Sequence, residues 1–381
     1  MTSPRKGSPR RAPGWAAAAL LWAALAAAPV LAAPALRAVT VAEGIEMGWG
    51  FEFLPGGEML VTERPGRIRV VAVDGRIGEP VSGVPEVVYR GQGGLLDLAL
   101  DSGFARNRRI YFCFSEAGAG GNSTALARAR LSDDAKALED VTVIFRQAPK
   151  VDSRGHFGCR IVEARDGNLF LTLGERMSRM QDAQTLDNHH GKVVRVDKSG
   201  QPAAGNPFLQ RAGALPEIFS YGHRNVQGAA LDGEGRLWTH EHGPQGGDEL
   251  NLTVAGRNYG WPVITYGEQY GGGKIGEGIT SRPGLEQPAA YWVPSIAPSG
   301  LAWLGSDRYG PAWKGSFFIG SLKFSYLVRV PLEGTRAGQP ERVLDLPGRV
   351  RDVRQGPDGL IYVLTEAPKG RIIRIEPVAG G

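Results

Sequence analysis

Three short stretches concentrate residue types able to do chemistry: Gly155-His156-Phe157-Gly158, Ser220-Tyr221-Gly222-His223-Arg224-Asn225 and Glu241-His242-Gly243-Pro244. Each adjoins an apolar, strand-like run, so a ring of strands would gather them around one pocket. His156 precedes one such run and Glu175 ends the hairpin that the run begins. A carboxylate held against an imidazole raises its basicity and fixes its tautomer, as a general base for an alcohol proton requires. The same two residues also read as a loop histidine near a strand-terminal glutamate. Arg224 and Asn225 follow a flexible glycine; the guanidinium could stabilise developing negative charge, or tie neighbouring sheets through backbone carbonyls. The run from Gly243 and Pro244 to Asp248 and Glu249 offers carbonyls and two carboxylates, hard oxygen donors that suit calcium, or an ordinary turn before an acidic strand. His240 and His242 share a strand face without an evident third ligand, which argues against zinc. Lys323, Arg349 and Arg351 form a further group; alternate strand residues share a face, so the two arginines can point together, and three cations at one rim imply an anionic ligand.

The elements that must position these groups are many and short. The chain has 381 residues with 55 Gly and 26 Pro, and its Leu, Val and Ile occur in brief runs between turns, the pattern of an all-β fold. A unit recurs about six times. Its inner hairpins are read at 51–63, 95–116, 161–175, 226–241, 300–321 and 350–366, and its following strands at 67–71, 125–131, 192–197, 249–254, 327–332 and 371–375. Irregular repeats of this kind predict a six-bladed β-propeller of four-stranded antiparallel blades over residues 36–377, since radial packing hides sheet edges. The segment Leu36 to Val41 is expected to close the ring as the outer strand of the last blade. No helical period is sustained over three turns; Asp133 to Asp140 is at most one short helix or loop.

Residues 1–32 read as a signal peptide: Arg5, Lys6, Arg10 and Arg11 precede an Ala/Leu-rich run too short and Ala-rich for a comfortable membrane span, ending in small residues. Export to the periplasm, with no stable membrane insertion after cleavage, is the expectation. The leader also explains the charge. Its four cations carry most of the net +5, leaving +1 for the mature chain, so the concentrated basic face that nucleic acid or an anionic membrane needs has little support. No glycine-rich phosphate loop follows a strand and opens a helix, which counts against nucleotides. The two cysteines, Cys113 and Cys159, lack metal spacing; Cys113 lies in an apolar strand, and both are expected as buried free thiols.

The chain resembles the soluble quinone-dependent aldose sugar dehydrogenases related to soluble glucose dehydrogenase. The likeness runs from Gly48-Trp49-Gly50 and Gly91-Gln92-Gly93-Gly94 through HFGCRIV (156–162), YGHRNVQG (221–228), EHGPQGGDELN (241–251), NYGWP (258–262) and GSLK (320–323) to GRVRDV (348–353) and YVLTE (362–366). The resemblance implies a propeller holding pyrroloquinoline quinone (PQQ) and calcium at the mouth of its channel, with an aldose substrate and an external electron acceptor. It implies that His156 is the catalytic base and Glu175 the carboxylate that supports it. It places Gln92 near sugar and quinone, Arg224 and Asn225 on the quinone, and Lys323, Arg349 and Arg351 against the cofactor's carboxylates. The carbonyls of Gly243 and Pro244 would hold the calcium, and Trp292 would cover the quinone ring. Cys159 departs from the glycine common at that position. Two other readings stay beside this one: a metal-dependent lactonase on a similar propeller, which needs side-chain metal ligands in the channel and leaves the three cations unexplained, and a non-catalytic binding propeller.

Overall fold

The computed structural model describes residues 34–378, together with residues 1–4 and 7; the signal-peptide reading of 1–32 falls almost wholly outside the described residues. Pro34–Gly381 form one compact unit. Six antiparallel sheets follow one another along it. Their inner strands are Gly48–Phe53, Leu95–Leu100, Ile161–Glu163, Val226–Leu231, Pro298–Leu304 and Val350–Gln355, and each contacts the next, the last returning onto the first. This is a six-bladed propeller. Blade five carries one additional short strand, Arg336–Ala337.

The ring closes as its sequence predicts. Leu36–Ile45 pairs with Gly370–Pro377 as the outer strand of blade six, so the beginning and end of the described chain lie in one sheet. The 133–140 segment is a turn leading into the strand Leu138–Arg146, and the described helices are one four-residue α-turn, Phe104–Asn107, and one short 3-10 turn, Met180–Gln184. Some fourth strands, such as Ile77–Pro80 and Ala290–Trp292, carry weak sequence signals because they are short and partly exposed.

The inner strands are too buried to leave a charge unpaired, and the charges they carry are matched across blades. Arg160 meets Asp97 at 2.7 Å and Asp352 at 3.0 Å, and Arg354 meets the same two carboxylates at 3.0 and 3.1 Å. Hydroxyls at strand ends make a second set of ties: Thr62 donates to the carbonyl of Leu96 at 2.5 Å and Thr172 to that of Val226 at 3.1 Å, each on the following inner strand. Buried groups of this kind are stable only when partnered; here Arg160 and Arg354 draw carboxylates from blades two and six together, and each threonine ties its blade to the next.

One expectation is overturned. Cys113 and Cys159 are both fully buried, as read, but they form a disulfide, with Cα atoms 5.9 Å apart. They stand 46 positions apart with no sequence cue to pairing; it arises because the segment leading into blade three crosses the second strand of blade two.

Candidate active site

In an antiparallel blade, the start of the inner strand and the end of the second strand lie at the same end of the sheet. Arg349 and Asn225 immediately precede inner strands, and Gln92 and His156 lie a few residues before them. Arg64, Glu175, Gly243, Lys323 and Glu366 follow second strands within a few residues. The ring therefore turns residues scattered from 64 to 366 into neighbours at one mouth.

His156 has a left-handed backbone, φ 51°, and its ring is buried. Its Nδ1 lies 2.8 Å from Glu175 Oε2, and its amide donates to Gln92 Oε1 at 2.8 Å. With Nδ1–H donating to the carboxylate, Nε2 keeps its lone pair; the ring has no other hydrogen bond among the described residues. Burial holds the imidazole below its ordinary pKa, and Arg224 and Arg176 act in the same sense, while Glu175 pulls upward without offsetting them. The ring is thus neutral at neutral pH. Arg176 fixes the turn beneath it: Nη1 donates to the carbonyl of Gly155 at 2.6 Å, and the guanidinium lies 3.6 Å over the Phe157 ring. Gly174 allows this approach, since a Cβ there would come within 2.2 Å of the His156 carbonyl.

Beside this turn, a cavity of about 190 Å³ is lined by Trp49, Gln92, Phe157, Gly158 and a cluster that sequence reading found only in part. Arg351 and Arg349, which the sequence singled out, both reach Glu366 Oε2, at 2.5 and 3.4 Å; Arg64, which it missed, takes Glu366 Oε1 at 2.9 Å. Burial opposes the charge on Glu366, but Arg351, Arg64 and Arg349 outweigh it and hold the carboxyl at about 2. Three guanidiniums share one carboxylate, an excess of positive charge facing the cavity. That suits an anion. Arg64 Nη2 also donates to the carbonyls of Gly91 and Gly93, the latter at 3.3 Å, on either side of Gln92.

Lys323 lies elsewhere on the mouth. It is exposed and lines a wider cavity of about 880 Å³ with Pro244, Tyr266 and Tyr270, which meets the first at Ala297 and Arg349. Arg349 belongs to both. Trp292 is a correction: it pairs with Asp248 in the sheet of blade four and lines a separate surface groove with Phe324 and Tyr326, so it does not cover this mouth.

Arg224 Nη1 donates to the carbonyls of His242 and Gly243 at 3.1 and 2.9 Å, a tie between two loops of blade four and not between neighbouring sheets, while among the described residues its buried Nε has no partner. Asn225 Oδ1 accepts from the Gly158 amide at 3.2 Å, joining blade four to the base-bearing turn. Asp248 is not free for a metal: its carboxylate takes Gly243 N, Ser295 Oγ, Ile296 N and Ala297 N at 2.7 to 3.0 Å. Burial, then Glu241, push Glu249 up to about 8. His240 and His242 each bond a blade-five carbonyl through Nε2, of Gly300 at 2.9 Å and of Pro298 at 2.8 Å. Among the described residues no group of three or more His, Cys, Asp or Glu side chains is arranged to hold a metal. The Gly243 and Pro244 carbonyls match calcium in kind, but Gly243 already accepts from Arg224, and two oxygens are well short of the roughly six to eight calcium takes. Calcium there fits only if a bound cofactor and water complete its shell. For the quinone the fit is better: a tricarboxylate matches the cationic cavity that Arg64, Arg349 and Arg351 line.

Residues 45–374 match the family model described as Glucose / Sorbosone dehydrogenase. The chain belongs to this family. The aldose sugar dehydrogenase YliI of Escherichia coli K12 is 43% identical over 343 residues, spanning 89% of this chain and 92% of the relative. The apo-form crystal structure of the soluble aldose sugar dehydrogenase from Escherichia coli superposes with a TM-score of 0.86 at 41% identity, covering 90% of this chain and 100% of that one. The PQQ-bound aldose sugar dehydrogenase of Streptomyces coelicolor gives 0.74 at 33% identity, covering 91% and 99%. Within the family's fold, Arg64 and Glu366 are the site residues that sequence reading overlooked. Their only local signal is a charged residue directly after a second strand, the position that Glu175 also adjoins.

Proposed function

We propose that this chain is a periplasmic dehydrogenase that oxidises aldoses at the anomeric carbon to lactones, with PQQ as hydride acceptor and an external acceptor for the electrons. The observation that carries this reading is a neutral histidine, anchored through Nδ1 on a buried carboxylate, beside a cavity with excess positive charge. What the quinone supplies when bound is a two-electron acceptor, and a calcium ion on the Gly243 and Pro244 carbonyls would add Lewis acidity at its carbonyl.

The chain's own residues do the rest. His156 Nε2 takes the proton of the anomeric hydroxyl as the hydride leaves carbon, and Glu175 stabilises the imidazolium that results. Arg349, Arg351 and Lys323, with Arg64 behind them, bind the cofactor's carboxylates, and Arg224 and Asn225, tied to the Gly243 carbonyl and the Gly158 amide, hold its edge. Gln92 fixes the base through the His156 amide and lines the cavity where sugar and quinone meet. Among the described residues no helix is long and apolar enough to cross a membrane.

The test combines purified protein, PQQ and calcium with a redox dye and a panel of aldoses. Aldose-dependent dye reduction that requires the quinone is expected, and His156→Ala should bind quinone but lose most turnover. Normal turnover by that variant would overturn the assignment of the base; lactone hydrolysis without quinone would overturn the dehydrogenase reading.

A further inference from the structure

His156, Gly158 and Cys159 all have positive φ, at 51°, 65° and 79°, so three of four consecutive residues sit in the left-handed region. Glycine adopts that region freely, whereas a residue with a Cβ does so only when its surroundings enforce it. Cys159 is enforced twice. Its amide donates to the Thr172 carbonyl at 2.6 Å, and its sulfur is bonded to Cys113 in the second strand of blade two. Both cysteines are fully buried in the cluster that contains Trp49, Leu96 and Phe157, three residues that line the anion cavity.

We propose that the Cys113–Cys159 disulfide is a positioning brace for the catalytic base: it holds a non-glycine residue in a left-handed turn and so fixes where the His156 imidazole stands relative to the cavity. This rests on the reading of His156 as the base. The physical logic separates the bond from the conformation it maintains. If the bond matters because it holds φ, a glycine at 159 should do without it and an alanine should not.

Cys159→Ala and Cys159→Gly lose the same bond and differ by one methyl group. Both are compared with the wild-type holoenzyme for kcat, KM for an aldose, quinone Kd by titration, and amide hydrogen exchange over residues 156–160. For Cys159→Ala the expected result is a fall in kcat of about tenfold, the scale of a left-handed penalty released into a mobile turn, with quinone Kd unchanged and faster exchange in the turn. For Cys159→Gly, kcat should stay within about threefold of wild type and the turn should remain protected. Equal losses in the two variants, or a Cys159→Ala protein with wild-type kcat and exchange, would overturn the brace. Should the alanine variant not fold, a folded Cys159→Gly protein whose turnover has collapsed would overturn it equally. His156→Ala in the same series separates the two ideas: normal turnover there refutes the base, whereas a slow His156→Ala with indistinguishable Cys159 variants refutes only the brace.

Discussion

Glu175→Gln changes little in shape and removes one charge from behind the base. The side chain is 1% exposed and its Oε2 accepts both His156 Nδ1 at 2.8 Å and the Met177 amide at 2.5 Å. An amide oxygen can still accept from Nδ1–H, so the tautomer and the turn are preserved. What is lost is the charge assistance that stabilises an imidazolium as it takes the substrate proton. A buried hydrogen bond to a charged group contributes about 1.5–3 kcal/mol, which corresponds to a fall in kcat of about 10- to 150-fold. A second signature follows from the titration. Burial lowers the His156 pKa, and Glu175 is the group that pulls it back up. Without the carboxylate the pKa falls further, and because the neutral ring is the base, the acid limb of kcat/KM must move to lower pH while the plateau drops. Stopped-flow dye reduction across pH measures both, with quinone titration as the control for binding. A plateau within about twofold of wild type, or an acid limb displaced upward, would refute the assignment of Glu175 as the partner of a catalytic base.

Two further outcomes are expected at the cationic cluster. Arg349 is largely exposed and only loosely tied to Glu366, so Arg349→Ala should weaken quinone binding by about 10- to 100-fold, reduce the salt dependence of Kd and leave the unfolding temperature unchanged; titration at two ionic strengths and calorimetry check this. Glu366 has a folded pKa of about 2 against an ordinary 4.5, so its charged form stabilises the protein above about pH 4.5, and that contribution is lost as pH falls toward about 2. A shift of this size corresponds to about 3 kcal/mol, so Glu366→Gln should be less stable than wild type in denaturant at pH 7, with the gap closing on acidification.

Local pattern was enough to find the inner hairpins, because apolar runs bounded by Gly and Asp turns form strands whichever blade they join. The ring-closing strand at Leu36 was legible for a similar reason: it is a strand-like run without a hairpin of its own. His156 and Glu175 were legible too, as they occupy opposite ends of one hairpin unit, a separation fixed by chain geometry. Arg349 and Arg351 were found as a pair, while the carboxylate they share was not.

What the tertiary structure alone decided involves partners that the ring, and not the chain, makes neighbours. Arg64 and Glu366 are 302 residues apart and meet only because blade six closes against blade one. Three of the four donors that saturate Asp248 come from a loop about 50 residues later and the fourth is the Gly243 amide, so a carboxylate that reads as a metal ligand becomes the anchor of two loops. Lys323 and Trp292 sit where the winding of their blades carries them, one on the wider cavity and the other outside the mouth. Cys113 and Cys159 read as thiols because burial is a property of each residue, whereas a disulfide is a property of the distance between two. Sequence therefore determined which residues stand at strand ends, through side-chain alternation and turn chemistry; the closing of six sheets into one ring determined which of those ends touch.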